Sequence, residues 1–286
     1  MKTVLATCAP LLLCSAGVTS LLAARTPQVL PAPAGYALVW SDEFDGDGPP
    51  DAKSWTYETG FIRNEEAQWY QAANASRRNG HLVIEARHER LKNPDYVANS
   101  QSWRTNREFA EYTSASLMTK GLHEWRYGRF EMRGRIDTRS GMWPAFWTLG
   151  SGEWPDAGEI DIMEFYRGVL LANVAWGSPR QWEATWDKTR HPIASFPDRD
   201  WPSKFHVWRM DWDERRIDLS VDGVQLNSTD LVRLKSPRTG RNPFHEPQYL
   251  LLSLAIGGVS GGDPSATAFP GRFEVDYVRV FQRTGH

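Results

Sequence analysis

Cysteine is almost absent from this chain of 286 residues: Cys8 and Cys14 are the only two, and both precede residue 25. A disulfide framework is therefore excluded for the rest of the chain, which must be stabilised by packing, with or without a bound ion. An excess of either charge is also missing, since the formal net charge is −2, and no nucleic-acid partner is indicated. Long helical periodicity is absent too, so short strands are the expected elements.

The first 24 residues have the pattern of a secretory signal peptide. Lys2 supplies a positive start, an apolar stretch follows, and small residues near its end offer cleavage points. A membrane anchor is the alternative, but the apolar run is short and is interrupted by serine and threonine. We therefore expect a secreted or periplasmic protein without membrane contact after cleavage, with a proline-containing linker over 25–35 and one catalytic domain over 36–286.

Short apolar or alternating runs, bounded by Gly, Pro, Asn and Asp, follow one another along the mature chain. This spacing predicts an all-β fold, either a sandwich or a jelly roll. The predicted strands cover residues 81–86, 127–136, 146–149, 158–165, 171–176, 206–211, 216–221, 249–256 and 272–281. Asp222 and Gly223 predict a two-residue hairpin turn. The segments 181–200 and 232–247 are polar and contain proline, so they are expected to be loops.

Tryptophan is abundant, with 14 residues distributed along the chain. Most of them are expected in the core, but the indole carries a polar N–H and is hard to bury completely. Rings that remain exposed in a groove would suit the apolar C–H faces of sugars.

Three acids, Glu159, Asp161 and Glu164, lie within one apolar run. Side chains alternate between the two faces of a strand, so Glu159 and Asp161 point the same way and Glu164 would point the opposite way. One extra residue near Ile162 or Met163, a β-bulge, would bring all three acids to one face. An ordinary strand with a solvated acidic face is the alternative, although acids are depleted in strands and close like charges repel.

Two carboxyl groups on one face of a rigid sheet are the arrangement that glycoside hydrolysis needs. We assign Glu159 as nucleophile, Glu164 as general acid/base, and Asp161 as the residue that hydrogen-bonds one of them. Three crowded carboxyls cannot all ionise easily, so at least one pKa is expected to rise. A metal site is the competing interpretation, but no histidine is near in sequence and calcium ligands usually come from a loop. No cofactor is expected for catalysis.

The pattern Glu-x-Asp-x-x-Glu, with its flanks, resembles glycoside hydrolase family 16, and most closely its laminarinase-like, bulge-containing branch. The flanking matches are VWSDEF at 39–44, EAQWY at 66–70, YTS at 112–114, YGRFE at 127–131, GMWPAFW at 141–147 and VDYVRV at 275–280. The acid motif alone is a weak signal, but in this order and with these flanks it is specific. The resemblance covers nearly the whole mature chain.

The resemblance implies a β-jelly-roll sandwich of two antiparallel sheets whose concave sheet forms an open, endo-acting cleft. It implies a polysaccharide substrate with β linkages and hydrolysis with retention through a covalent intermediate. It places Trp143 and Trp147 in the cleft wall, with Asn64 and Trp154 as further substrate-binding candidates. Phe146 and Trp147 alternate, so one of the two must face the core.

The resemblance also implies a structural calcium ion on the convex side, because family members often carry one. The matching positions are Glu43, the backbone of Gly80, and Asp276. The alternative is that these acids are ordinary surface residues.

The chain departs from the family at two positions that bear on the substrate. Ala175 stands where laminarinase-like enzymes usually have histidine, and Ser253 stands where they usually have asparagine. Loss of a polar group beside the catalytic pair changes which sugar substituent is recognised. β-1,3-Glucan is the nearest expectation, while an agar- or carrageenan-type galactan or another β-glycan stays open.

Two other functions share these features. A transglycosylase uses the same covalent intermediate, with a sugar in place of water as acceptor. A glycan-binding protein without catalysis can use the same fold, although the three acids that such proteins lose are all present here. A monomer is expected in each case.

Overall fold

The computed structural model describes residues 32–285, so the predicted signal peptide and most of the predicted linker lie outside the described residues. Seventeen strands occur in this part of the chain. They are β1 Tyr36–Asp42, β2 Thr56–Tyr57, β3 Gln68–Tyr70, β4 Ala75–Arg78, β5 His81–Lys92, β6 Phe109–Ser114, β7 Ser116–Met118, β8 Gly128–Arg135, β9 Met142–Gly150, β10 Glu159–Tyr166, β11 Val169–Gly177, β12 Ala184–Pro192, β13 His206–Trp212, β14 Arg216–Val221, β15 Val224–Asp230, β16 Gln248–Ile256 and β17 Gly271–Arg283.

The helices found in residues 32–285 are few and short. They are one α-helix, α1 Gly258–Gly261, and four 3₁₀ turns at Ala72–Asn74, Ile193–Ser195, Trp201–Ser203 and Pro243–His245. Within residues 32–285, no helix is both long enough and apolar enough to cross a membrane.

The strands form two sheets. One sheet has ten strands, with the order β15-β14-β13-β8-β17-β5-β6-β3, while β1 pairs with β17 and β4 pairs with β5. The other sheet has seven strands, in the order β12-β11-β10-β9-β16-β7-β2. All named strand pairs are antiparallel except β3 with β6, so the predicted all-β sandwich of antiparallel sheets is confirmed.

The core lies between the two sheets and is built by alternation along the strands. Phe146 of β9 is completely buried in it, whereas Trp147 faces the other side of the seven-stranded sheet. Opposite these residues, Phe130 and Met132 of β8 belong to the same cluster. Burial of such side chains is the main stabilising contribution in a domain without disulfides.

The hairpin predicted at Asp222 and Gly223 is present. Val221 and Val224 are direct partners in the ladder between β14 and β15. Both turn residues have positive φ, 48° for Asp222 and 80° for Gly223, as the favoured two-residue hairpin turn requires.

The prediction of a loop over 181–200 was wrong, because residues 184–192 form β12 at the edge of the seven-stranded sheet. The strand was missed because its inward face is polar instead of apolar. Thr229 donates a hydrogen bond to the Asp187 carboxylate at 2.8 Å, and a His191 ring nitrogen lies 3.1 Å from the Leu226 carbonyl oxygen. These side chains are satisfied by hydrogen bonds to β15, so the strand needs no apolar alternation.

The three residues predicted to hold calcium lie directly after β1, in the turn between β4 and β5, and in β17, all beside the ten-stranded sheet. The Glu43 carboxylate accepts two hydrogen bonds from Arg279, at 2.9 and 2.7 Å. Asp276 accepts one from Arg133 at 2.6 Å, and Gly80 lies in the turn between β4 and β5. Both carboxylates therefore face guanidinium groups, and residues 32–285 contain no cluster of three metal-ligating side chains. Calcium binding stays a prediction, and no step of the chemistry below depends on it.

Candidate active site

The bulge in β10 is present where the acid motif requires it. Between Asp161 and Glu164, β10 advances by three residues while the partner strands β9 and β11 each advance by two. The extra residue restores the alternation, so Glu159, Asp161 and Glu164 all lie on the face directed away from the core. On the opposite face, Ile160, Ile162, Met163 and Phe165 are buried in the main cluster. Burial of these four apolar side chains fixes the register that presents the acids.

The turn that leads into β10 depends on a glycine. Gly158 has φ of +80°, a region that side-chain-bearing residues rarely adopt. A Cβ at this position would also lie 3.0 Å from atoms of Pro243 and Phe244. The turn therefore sets the direction in which Glu159 enters the sheet.

Antiparallel pairing places each acid in a row of side chains that runs across the seven-stranded sheet. From β12 to β16 the rows are Trp186–Ala175–Glu159–Leu149–Tyr249, Lys188–Asn173–Asp161–Trp147–Leu251 and Arg190–Leu171–Glu164–Ala145–Ser253. Glu159 and Glu164 are thus separated by four residues of their partner strands, or roughly 13 Å of backbone at about 3.3 Å per residue. Long glutamate side chains can shorten that separation at their carboxyl ends.

Each glutamate is held by an indole. The Trp154 Nε1–H group donates to Glu159 Oε2 at 2.6 Å, and the Trp143 Nε1–H group donates to Glu164 Oε1 at 2.7 Å. Trp147 instead donates to the Ser253 hydroxyl at 3.2 Å. Trp143 and Trp147 are largely buried, whereas the ring of Trp154 is 38% exposed and presents the most accessible aromatic surface of the three.

Asp161 lies between the two glutamates and is only 4% exposed. It is hydrogen-bonded to Glu159 and to Asn173, its neighbour on β11. Burial, together with the negative charges of Glu159 and Glu164, raises the pKa of Asp161 well above its ordinary value. The raised pKa favours the protonated form of Asp161, which can donate in the hydrogen bond to Glu159.

The pKa values of the two glutamates are raised as well. Burial raises the pKa of Glu164 to about 7; the hydrogen bond from Trp143 opposes this shift, and repulsion from Glu159 adds to it. Burial also raises the pKa of Glu159, but the hydrogen bonds from Trp154 and Asp161 and the charge of Arg63 act against that shift. The site thus favours an ionised Glu159 beside a protonated Glu164, which is the division of roles between a base and an acid.

A second wall of the cleft comes from the segment before β3. Arg63 forms an ion pair with Glu58, and its guanidinium lies 5.0 Å from the centre of the Trp147 ring. Glu66 is buried and accepts hydrogen bonds from Gln68 at 2.7 Å and Asn64 at 3.4 Å. Asn64 thus lies in the cleft as expected. The functional position of Glu66 was missed, although the alternation in EAQWY was a signal for a strand with a polar cleft face.

The opposite wall comes from β12 and was also missed by sequence reasoning. Trp186, Lys188 and Arg190 alternate with the residues that bond to β15, so they face the cleft. Their spacing of two residues was the available signal.

These walls enclose an open cleft of about 550 Å³ over the acids. All seven residues predicted to be catalytic or substrate-binding line it: Asn64, Trp143, Trp147, Trp154, Glu159, Asp161 and Glu164. Their roles toward a substrate stay predictions. A cleft of this composition, with aromatic rings beside paired carboxyls of unequal pKa, can bind a saccharide and transfer a proton to a glycosidic oxygen.

Comparison with known proteins identifies the family. The model for glycosyl hydrolases family 16 matches residues 64–279, about three quarters of the chain. The chain belongs to glycosyl hydrolase family 16.

Several proteins of known structure or activity resemble this family 16 chain along most of its length. It is 38% identical to a β-glucanase of Rhodothermus marinus over 269 residues, which cover 86% of this chain and 85% of that enzyme. A solved structure from work on endo-acting O-glycanases of human gut microbiota that initiate mucin breakdown superposes with a TM-score of 0.80 at 33% identity, covering 89% of this chain and 94% of the other. The non-specific endo-β-1,3(4)-glucanase SCLam superposes with a TM-score of 0.73 at 37% identity, with the same coverage.

Family membership confirms the jelly roll and identifies the protein as a glycoside hydrolase that acts on a polysaccharide. Two residues, Ala175 and Ser253, depart from the usual family pattern near the catalytic acids. Ala175 is fully buried between Glu159 and Trp186 in the first cross-strand row, and Ser253 lines the cleft and accepts the hydrogen bond of Trp147. A changed side chain at Ser253 alters the cleft surface directly, whereas buried Ala175 acts on that surface through its neighbours Glu159 and Trp186.

The raised pKa of Glu164 predicts that this residue destabilises the folded enzyme at neutral pH. A carboxyl with a native pKa of about 7 holds a proton that the unfolded chain loses at about pH 4.3, so stability falls as pH rises between these values. We expect Glu164→Gln to unfold with a free energy about 3–4 kcal/mol higher than the native enzyme at pH 8, and with little difference at pH 4. Urea titrations at both pH values measure this, and a gain independent of pH would contradict it.

Proposed function

We propose that the protein is a secreted, retaining endo-β-glycanase that hydrolyses its polysaccharide by double displacement. The observation that carries the proposal is the placement of Glu159 and Glu164 on one face of β10, each held by its own indole and each with a different electrostatic environment. The names of the relatives support the substrate class, because they include a β-glucanase and an endo-β-1,3(4)-glucanase. The open shape of the cleft favours binding within a chain instead of at its end.

In the first step, the Glu159 carboxylate attacks the anomeric carbon and forms an ester bond. The bond from that carbon to the glycosidic oxygen breaks, and Glu164 transfers its proton to the leaving oxygen. Trp154 and Asp161 donate hydrogen bonds that keep Glu159 ionised and oriented. The reaction thus uses the protonation states that the site favours at rest.

In the second step, Glu164 is a carboxylate and accepts a proton from a water molecule as the water oxygen attacks the anomeric carbon. The ester bond breaks and Glu159 leaves as a carboxylate. Two inversions at one carbon give net retention. Glu164 ends protonated, so the cycle closes without a cofactor.

The preferred substrate under this proposal is a β-1,3-linked glucan. A galactan or a mucin-type O-glycan is the second candidate, favoured by two observations. The highest TM-score of the structures above belongs to one from work on O-glycanases, and Ala175 and Ser253 replace the polar residues usual in laminarinase-like enzymes.

A time-resolved NMR experiment on laminarin, mixed-linkage glucan, agarose, porphyran, carrageenans and mucin-type O-glycans tests the proposal. We expect one glycan to yield the β-anomer first and to release internal fragments early, with reducing ends appearing before monosaccharide. First appearance of the α-anomer would contradict retention, and monosaccharide as the first product would contradict endo action. Binding without any new reducing ends would favour a glycan-binding protein.

Adding an acceptor oligosaccharide to the same reaction separates hydrolysis from transglycosylation. We expect shortened products to dominate at low acceptor concentration. Longer products as the main species would assign the protein as a transglycosylase.

Mass spectrometry of the exported protein tests the proposed removal of residues 1–24, since an intact N-terminus would contradict it.

A further inference from the structure

Two basic residues on the cleft side of β12 are not used by the chemistry above. Lys188 and Arg190 are exposed, lie two residues apart on the same face and line the cleft. Their backbones are separated by roughly 6.6 Å along the strand, and they lie about 9.5 Å, or two strand spacings, from β10. A saccharide bound over Glu164 would therefore have its substituents within reach of both.

Neither cation has a carboxylate partner within ion-pair distance among residues 32–285. The Arg190 guanidinium is hydrogen-bonded to Tyr166, and the Lys188 ammonium lies 4.9 Å from the centre of the Trp186 ring. By comparison, Arg129 and Arg209 on the ten-stranded sheet each have a carboxylate at 2.7–2.8 Å. Lys188 and Arg190 combine the lack of a carboxylate partner with a position in the cleft.

Trp186 completes the arrangement on the same strand face. It is partly buried beneath Lys188 and lies in the same row as Ala175 and Glu159. The edge strand therefore offers an aromatic surface followed by two positive charges.

We propose that Lys188 and Arg190 bind an anionic substituent, a sulfate ester or a carboxylate, on a saccharide unit of the substrate. This inference rests on the proposed function, because it names the substrate class of the same cleft; within that function it favours the second candidate, a galactan or O-glycan that carries anionic substituents, over an unsubstituted β-1,3-glucan. A guanidinium can donate two parallel hydrogen bonds to such an oxyanion, and an ammonium adds a compact charge. Since neither cation is engaged by a carboxylate, donors of both stay available for such an oxyanion.

Two simpler roles would explain the charges without an anionic ligand. Charged side chains on an edge strand prevent pairing with another sheet, and Lys188 also opposes the raised pKa of Glu164. Either role affects neutral and anionic substrates alike. The quantity that separates these roles from anion binding is therefore the affinity for an anionic oligosaccharide divided by the affinity for its neutral form.

Calorimetric titration in a Glu159→Gln background measures this ratio with laminarin and agar oligosaccharides in three forms: unsubstituted, sulfated, and oxidised to a carboxylate at C6. We expect the anionic forms to bind more tightly, and the preference to fall about three- to tenfold for Lys188→Gln and for Arg190→Gln. The preference should also weaken with salt, and Lys188→Arg should retain it. The two anionic forms show whether sulfate or carboxylate is favoured.

Arg215→Gln is the matched control, because Arg215 is an exposed arginine in the turn between β13 and β14, on the other sheet. An unchanged ratio in the Lys188→Gln/Arg190→Gln double variant, with a native melting temperature, would overturn the inference and leave the proposed function intact. In another outcome, the native enzyme cleaves none of these glycans while the preference for anionic forms still falls in the Lys188→Gln and Arg190→Gln variants. That result would overturn the proposed function alone. Absence of binding in all forms would overturn both.

Discussion

Replacing Glu159 with glutamine is expected to reduce hydrolysis by about 10⁴-fold or more. The amide keeps the shape of the side chain and can still accept the Trp154 hydrogen bond, but it cannot form the ester that carries the sugar. The loss should appear in kcat, while the affinity for an oligosaccharide changes little. Reducing-end assays and calorimetry on the same preparation measure the two quantities.

An activated aryl glycoside with added azide makes this test specific for a nucleophile. In Glu159→Ala, azide can enter the space of the carboxylate and attack the anomeric carbon directly, which gives an α-glycosyl azide. Glu153→Gln is the control, since Glu153 is an exposed acid in the same loop as Trp154 and does not line the cleft. Full activity in Glu159→Gln would end the assignment of β10 as the catalytic strand.

The part of the site that lies on β10 could be predicted because the residues that determine its geometry are all adjacent in the sequence. Four apolar residues and three acids within one run leave a single arrangement that buries the former and presents the latter, and that arrangement requires a bulge. The hairpin at Asp222 and Gly223 was predictable for the same reason, since two adjacent residues specify the turn.

The walls of the cleft could not be predicted in the same way because they depend on pairings between distant segments. The Trp147 indole reaches Ser253, 106 residues away, and that contact exists only once β9 and β16 are neighbours. β12 was hidden for a second reason, because polar residues such as Asp187 face inward and destroy the apolar alternation that identifies a strand. The hydrogen bonds from indole N–H groups to Glu159 and Glu164 likewise depend on side-chain rotamers, which cannot be read from a sequence.

Removing the carboxyl of Glu164 is expected to give a different kinetic signature from the loss of Glu159. We expect Glu164→Ala to lower the rate on polysaccharide about 10²–10⁴-fold, because the leaving oxygen of a sugar needs a proton. An aryl glycoside with a good leaving group does not need it, so the ester on Glu159 should form at a near-native rate and accumulate. Mass spectrometry of the quenched enzyme detects that adduct, and added azide should release a β-glycosyl azide.

The pH profile provides the second half of this test. In the native enzyme, kcat/KM should fall above about pH 7, where Glu164 loses the proton it must donate. The acidic limb should follow protonation of Glu159, which must stay ionised to attack. In Glu164→Gln, where the residual activity is small, the basic limb should disappear while the acidic limb persists. A basic limb that survives this substitution would assign the proton donor to another group, and Asp161, whose pKa is raised well above its ordinary value, would be the next candidate.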